Sequence, residues 1–213
     1  MPESRILVWG AGGHARVVAD IINCLGREIA GFIDDVNHEL RGGAFCGATI
    51  LGGAEQLPRL FKEGITDIVI ALGDCSARLR FASTAMEVGF RLATLCHPSA
   101  VVARNAAIGE GSVVVGGAVI NSDCVIGSNV IVNTGATVDH ECVIEDGVHI
   151  GPGVHIGGKS RIGKGAWIGI GATVTNHVSI GAGTIIGAGA VVVRHIPDDV
   201  VAYGVPAKVM RKL

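Results

Sequence analysis

The segment Val138-Asp139-His140-Glu141-Cys142 holds the acid–base pair best suited to chemistry. An imidazole titrates near neutrality, which suits proton removal at pH 7. An adjacent carboxylate fixes its tautomer and raises its basicity. Neighbours on a flat strand point apart, however, so a His140–Glu141 contact requires a bend. The alternative is a surface histidine beside two acids, with Asp139 as solvated corner polarity. A second cluster is Gly10-x-Gly12-x-x-Ala15, a variant dinucleotide fingerprint opening a helix. Backbone N–H groups at a helix start attract phosphate. Asp34, after the next apolar run, then sits where an acid meets a ribose hydroxyl. Taken alone this predicts NAD. His177 and His195 offer two imidazoles without a third ligand, which does not make a metal site.

The elements that position these residues follow two different patterns. Up to about residue 94 the chain alternates strand and helix. The spacing predicts strands over 5–9, 29–33, 67–72 and 92–95. It predicts helices over 14–25, 54–62 and 76–88, the last starting at a serine. Such alternation implies a small parallel sheet with helices packed on it, an α/β Rossmann-like domain over residues 1–95. This stretch is too short for two mononucleotide halves, so a single nucleotide fits it better than NAD. Trp9 and Trp167 read as packing residues.

After His97-Pro98 the pattern changes. From Val102, every sixth residue through Val192 is Ile or Val, sixteen in succession. Four places after each comes a small or aliphatic residue. A period of six puts successive Ile/Val on opposite faces of an α-helix, so a helix does not explain it. Short strands joined by tight turns do, with Ile/Val inward and Gly or Asn at the corners. Stacked coils of this kind form a parallel β solenoid over residues 96–213.

Composition sets the outer limits. The 213 residues carry a net charge of -2, with 33 glycines and 4% aromatics. That balance leaves no electrostatic footprint for nucleic acid or an anionic membrane. The mean hydropathy of +0.51 is high, yet no apolar run reaches the roughly 18 to 20 residues of a spanning helix. Met1-Pro2-Glu3-Ser4 has no signal-peptide layout. The six cysteines lack C-x-x-C pairs, which argues against a disulfide framework and a cysteine zinc site and points to a reduced, cytoplasmic setting.

The [Ile/Val]-Gly-x-x-[small]-x tandem resembles the hexapeptide-repeat acyltransferases, whose solenoid is a left-handed, three-sided parallel β-helix with eighteen residues per coil. Gly10-Ala11-Gly12-Gly13-His14, Asp34-Asp35, Ile70-Ala71-Leu72-Gly73-Asp74 and His97-Pro98-Ser99-Ala100 narrow the likeness. They are similar to the bacterial nucleotide-sugar N-acetyltransferases and sialic acid O-acetyltransferases, and the similarity runs down to Gly204-Val205-Pro206-Ala207-Lys208. It includes enzymes that acetylate UDP-linked 4-amino-trideoxy sugars and GDP-perosamine.

The resemblance implies acetyl-CoA as co-substrate, no metal, and a homotrimer acting on a nucleotide-linked amino sugar in glycan biosynthesis. His140 is then the base and Glu141 its partner. Gly158, one coil later, offers an N–H to the oxyanion; a corner glycine is the alternative. His149 contacts acetyl-CoA near the thioester, while His155 carries no family role. Ile170 and Ala188 line the pantetheine arm between adjacent chains, and Ala188 stands where the family often has Gly. Lys208, with Arg211 and Lys212, meets the coenzyme phosphates or forms a solvated tail. Gly12, Gly13, His14, Asp34 and Asp35 hold the nucleotide, and Gly73 closes that pocket. Asp74 replaces a frequent Asn and bears on base preference. Asn133 orients the sugar amine, or is a corner Asn at positive φ. The competing functions are a sugar O-acetyltransferase, a zinc hydratase needing three converging histidines, and a non-catalytic nucleotide-binding trimeric scaffold.

Overall fold

The computed structural model describes residues 5–213; Met1–Ser4 lie outside the described residues. The chain divides into two compact units at Pro98/Ser99, where the sequence pattern placed the break at residues 95/96.

In the first unit, β1 (Ile6–Trp9) runs into α1 (Gly13–Cys24), then β2 (Ile29–Ile33). A short hairpin follows, β3 (Ala44–Phe45) and β4 (Ala48–Thr49). Then come α2 (Leu57–Lys62), β5 (Asp67–Ile70), α3 (Cys75–Val88), β6 (Arg91–Leu92) and β7 (Leu95–Cys96). The main sheet has the order β2-β1-β5-β6 and is parallel throughout. Its strands are apolar on both faces because both are covered: Ile6, Leu7, Val8 and Trp9 are all buried. Leu7, Trp9, Ile68 and Ile70 pack with Leu57, Leu60 and Phe90 into one core.

Three boundaries differ from expectation. The helix expected over 54–62 is a 3-10 turn (Ala54–Gln56) followed by α2, with a proline in its first turn. The expected Ser start of α3 is instead Asp74, whose carboxylate accepts from the Ala77 amide at 2.7 Å. The strand expected over 92–95 is two short pieces, β6 and β7.

The second unit is a left-handed parallel β-helix of about six turns. Sixteen two-residue strands, β8 (Val101–Val102) through β23 (Val191–Val192), recur every six residues and pair with those eighteen away. The inward Ile/Val residues from Val114 to Val192 are buried. So are the small residues four places on, from Ser112 to Ile196. The corners explain the glycine content. Gly117, Gly135, Gly153, Gly171 and Gly189 stack along one edge, all at φ between +63° and +71°.

The C-terminus is not a loose tail. β24 (Val200–Gly204) adds to the strand Ile185–Ile186, and β25 (Ala207–Lys212) folds back antiparallel on it. Val115 and Ile131, which flank the inward positions, are buried within the chain. The exposed aliphatics of the coils are Val101, Val125, Ile170 and Val193, and Val205, Val209 and Leu213 are exposed at the C-terminus.

Candidate active site

One corner of the β-helix departs from the glycine rule. Asp123, Glu141, Lys159 and His177 stack there at φ of +61°, +58°, +59° and +59°. Left-handed backbone costs a residue with a Cβ, so this edge retains side chains where glycine would be easier. Such outliers cluster at functional sites. The left-handed turn is also the bend that a His140–Glu141 contact needs. His140 Nδ1 lies 3.0 Å from Glu141 Oε2, with both side chains about half exposed.

A carboxylate only accepts, so Nδ1 carries the proton and Nε2 is the basic nitrogen. Glu141 is held below the usual carboxylate range, first by the His140 hydrogen bond and then by Lys159. The Lys159 ammonium is 3.5 Å from the same oxygen. Asp139, expected to be idle polarity, positions the corner. Its Oδ1 accepts the His140 amide at 2.8 Å and the Asn121 side-chain amide at 2.9 Å. Asn121 and Asp139 stand eighteen apart, which is the signal that could have revealed the pair.

Gly158 lies against the other side of the imidazole. A Cβ there would sit 2.7 Å from His140 Nε2 and 2.8 Å from Cε1. Only glycine leaves the basic nitrogen open. Its predecessor Gly157 has no side chain to turn back on the Gly158 amide, as Asp139 does on that of His140. The Gly158 N–H, beside the imidazole, therefore has no cap of that kind.

His149 faces Asn133: Nε2 to Nδ2 is 3.3 Å, and the ring meets Trp167 edge-on at 6.0 Å between centroids. Asn133 is not at positive φ, so the corner reading of it is set aside; Gly135 takes that turn at φ +63°. His155 Nδ1 pairs with Thr137 Oγ1 at 2.9 Å. That pair lines an open groove of about 700 Å³ with Asn121, Asp139, Gly157 and Asn176. His195 Nδ1 accepts the Ser179 amide at 2.9 Å, so that nitrogen is already engaged. Ile170 and Ala188 lie exposed on a different corner from His140, and Lys208 is exposed on β25.

In the first unit the strand order places a topological switch between β1 and β5, the usual ligand crevice of such sheets. The two loops at that crevice pack closely. Gly10 has φ +124°, and a Cβ on it would sit 2.8 Å from the Ala71 carbonyl oxygen. Gly12 and Gly13 are exposed with open space where a Cβ would be, at the start of α1. His14, half-buried, follows them in the first turn.

The two acids are used differently than expected. Asp34 is buried, and its carboxylate already accepts from Ala11 N, Val36 N, Asn37 N and Asn37 Nδ2. Burial pushes its pKa up, and these donors together outweigh that and hold it below its ordinary value. Asp35 accepts from Trp9 Nε1 and Ala54 N, both at 2.8 Å. Both acids thus clamp the walls of the crevice, and a ribose contact to Asp34 would share a carboxylate that four donors already hold. Arg78, missed in the sequence, does the same for the loop carrying Gly73. It is 1% exposed and donates to the carbonyls of Leu72 and Gly73. Arg16, Arg41 and Phe45 line a pocket of about 330 Å³ beside Ala11, with the Arg16 guanidinium 4.7 Å above the Phe45 ring.

The clamp is testable. Asp34→Asn turns an amide N–H toward the buried Ala11 N–H, which costs roughly 1–3 kcal/mol of stability. Because the folded pKa of Asp34 is lowered, its contribution is full above the ordinary carboxyl value and is lost as pH falls through the folded one. Denaturant melts should therefore show a gap between wild type and variant that is constant near neutrality and shrinks below about pH 4. An equal gap at all pH values would remove Asp34 from the clamp.

The fold and the sequence have known relatives. Residues 5–85 match the PglD N-terminal domain, and residues 123–158 and 159–194 match the bacterial transferase hexapeptide repeat. A histidine-to-asparagine mutant of perosamine N-acetyltransferase from Caulobacter crescentus, in complex with CoA and GDP-perosamine, is 38% identical with a TM-score of 0.95. The alignment covers 99% of this chain and 98% of that one. The acetyltransferase domain of PglB from Neisseria gonorrhoeae FA1090, in complex with acetyl coenzyme A, is 39% identical with a TM-score of 0.90, covering 97% and 98%. UDP-N-acetylbacillosamine N-acetyltransferase of Bacillus subtilis (strain 168) is 36% identical over 112 residues, 52% of this chain and about half (51%) of its own length. On this identity and coverage, the chain belongs to the hexapeptide-repeat nucleotide-sugar N-acetyltransferases with a PglD-type N-terminal domain.

Proposed function

We propose that the protein transfers the acetyl group of acetyl-CoA to the amine of a UDP- or GDP-linked amino-deoxy sugar, by direct attack on the thioester, in bacterial glycan biosynthesis. The observation that carries this reading is the His140 ring, tied at Nδ1 to Glu141 and pressed at Nε2 against Gly158. Nε2 takes the proton as the amine nitrogen bonds to the thioester carbonyl carbon. The Gly158 N–H faces the oxyanion. The C–S bond then breaks, and the coenzyme leaves as a thiolate that is protonated on release.

The first unit holds the nucleotide. Gly12 and Gly13 at the start of α1 present amides to the diphosphate. Arg16 and Arg41 add charge, Phe45 adds a flat apolar wall, and Asp34, Asp35 and Gly73 shape the crevice. Asn133 and His149 are paired on the second unit, and we assign them to the sugar amine and the thioester end of acetyl-CoA. The six cysteines are free thiols, which fits a reducing cytoplasmic setting. A panel assay of thiol release tests the substrate class. At least one UDP- or GDP-linked amino sugar should release CoA, and free sialic acid should not. Turnover of sialic acid alone would move the protein to the sugar O-acetyltransferases.

The coenzyme arm requires a partner chain. An arm reaching from His140 to Ile170 either crosses a whole face of one prism or passes between two chains. Ile170, 59% exposed at that corner, favours the second route and a homotrimer. Ile170→Glu should raise the KM for acetyl-CoA at least about tenfold, since a carboxylate would meet an apolar arm. Light scattering should give three times the chain mass; a monomer at micromolar concentration would leave the coenzyme without its second wall.

A further inference from the structure

The first unit carries a cluster that the acetyl-transfer chemistry does not use. Asp20 and Cys24 stand four residues apart on α1 and so share one face of the helix. α1 packs against β7, and His97 directly follows that strand. One donor atom from each of Asp20, Cys24 and His97 falls within 4.8 Å of the other two. Asp20 and Cys24 are exposed and His97 is half-buried, so an ion can enter from solution.

We propose that these three side chains bind one divalent cation of the zinc class. The donor set decides the class. A thiolate with an imidazole selects a borderline metal over Mg²⁺ or Ca²⁺, which take oxygen ligands. Three protein ligands leave the fourth tetrahedral position to water. Bonds of about 2.0–2.3 Å would draw the donors roughly 1 Å closer together, within reach of side-chain rotation at exposed positions. The bound ion ties the last turn of α1 to the segment that leaves the first unit. The sequence gives no warning of this site, because its ligands form no motif and His97 lies far along the chain.

Cobalt titration of the full chain, stripped of metal with a chelator, tests the proposal. One equivalent of Co²⁺ should produce a sulfur-to-cobalt charge-transfer band with tetrahedral visible bands, and Zn²⁺ should bleach both. Cys24→Ser should abolish the charge-transfer band, while Cys46→Ser should keep it. His97→Ala and Asp20→Asn should each weaken Co²⁺ binding at least about tenfold, since even outer partners of metal ligands are worth that much. Zn²⁺ should raise the melting temperature of the wild type and not of Cys24→Ser. No charge-transfer band at stoichiometric Co²⁺, a band that persists in Cys24→Ser, or unchanged affinity in His97→Ala would overturn the proposal.

Discussion

Replacing His140 by alanine is expected to lower kcat by about 10²- to 10⁴-fold, the range that a positioned base contributes. The affinity for acetyl-CoA should barely change, because the coenzyme's binding energy comes from its arm and phosphates. His140 is half exposed and its amide is held by Asp139, so the variant should fold. Glu141→Ala should cost less. It leaves the imidazole in place but frees its tautomer, now fixed by the 3.0 Å contact at Nδ1. A Glu141→Ala enzyme slower than His140→Ala would mean that the carboxylate, not the imidazole, takes the proton.

Gly158→Ala is expected to be nearly as damaging, although it adds one methyl group on the surface of the β-helix. The new Cβ would sit 2.7 Å from His140 Nε2, closer than carbon and nitrogen pack. The imidazole must swing away, which breaks the contact with Glu141 and misdirects the base. The Gly158 amide itself is retained, but the methyl crowds a thioester carbonyl away from it, and an oxyanion donor put out of reach costs about 10²- to 10³-fold in kcat. Thermal stability should change little, because the methyl meets only a half-exposed ring. Near-normal kcat in Gly158→Ala would show that this face of the imidazole is not where reaction occurs.

The β-helix was legible because burial alone writes it. Each inward Ile/Val repeats at six, and the structure buries those from Val114 to Val192. The parallel sheet was legible for the same reason, since its strands read as apolar runs. Side-chain commitments were not. Asp34 sits where the fingerprint puts a ribose contact, but four donors claim it. Asp74 outcompetes Ser76 as the helix cap because it is one residue before α3 begins. Arg78 is buried under three loop carbonyls, and nothing in a helical pattern marks a guanidinium as interior. The left-handed turn at Glu141 (φ +58°) carries no composition signal, yet it makes the His140–Glu141 contact possible.

The pH dependence of kcat in wild type and His140→Ala tests the central mechanism most directly. In the wild type, kcat should fall on the acid side with a slope of one proton, as the imidazole is protonated and Nε2 ceases to be a base. In His140→Ala, measured with the same nucleotide-linked amino sugar at saturating acetyl-CoA, that limb should vanish and leave a low, flat rate over the same range. The same acid limb persisting in the variant at near-normal kcat would show that another group removes the proton.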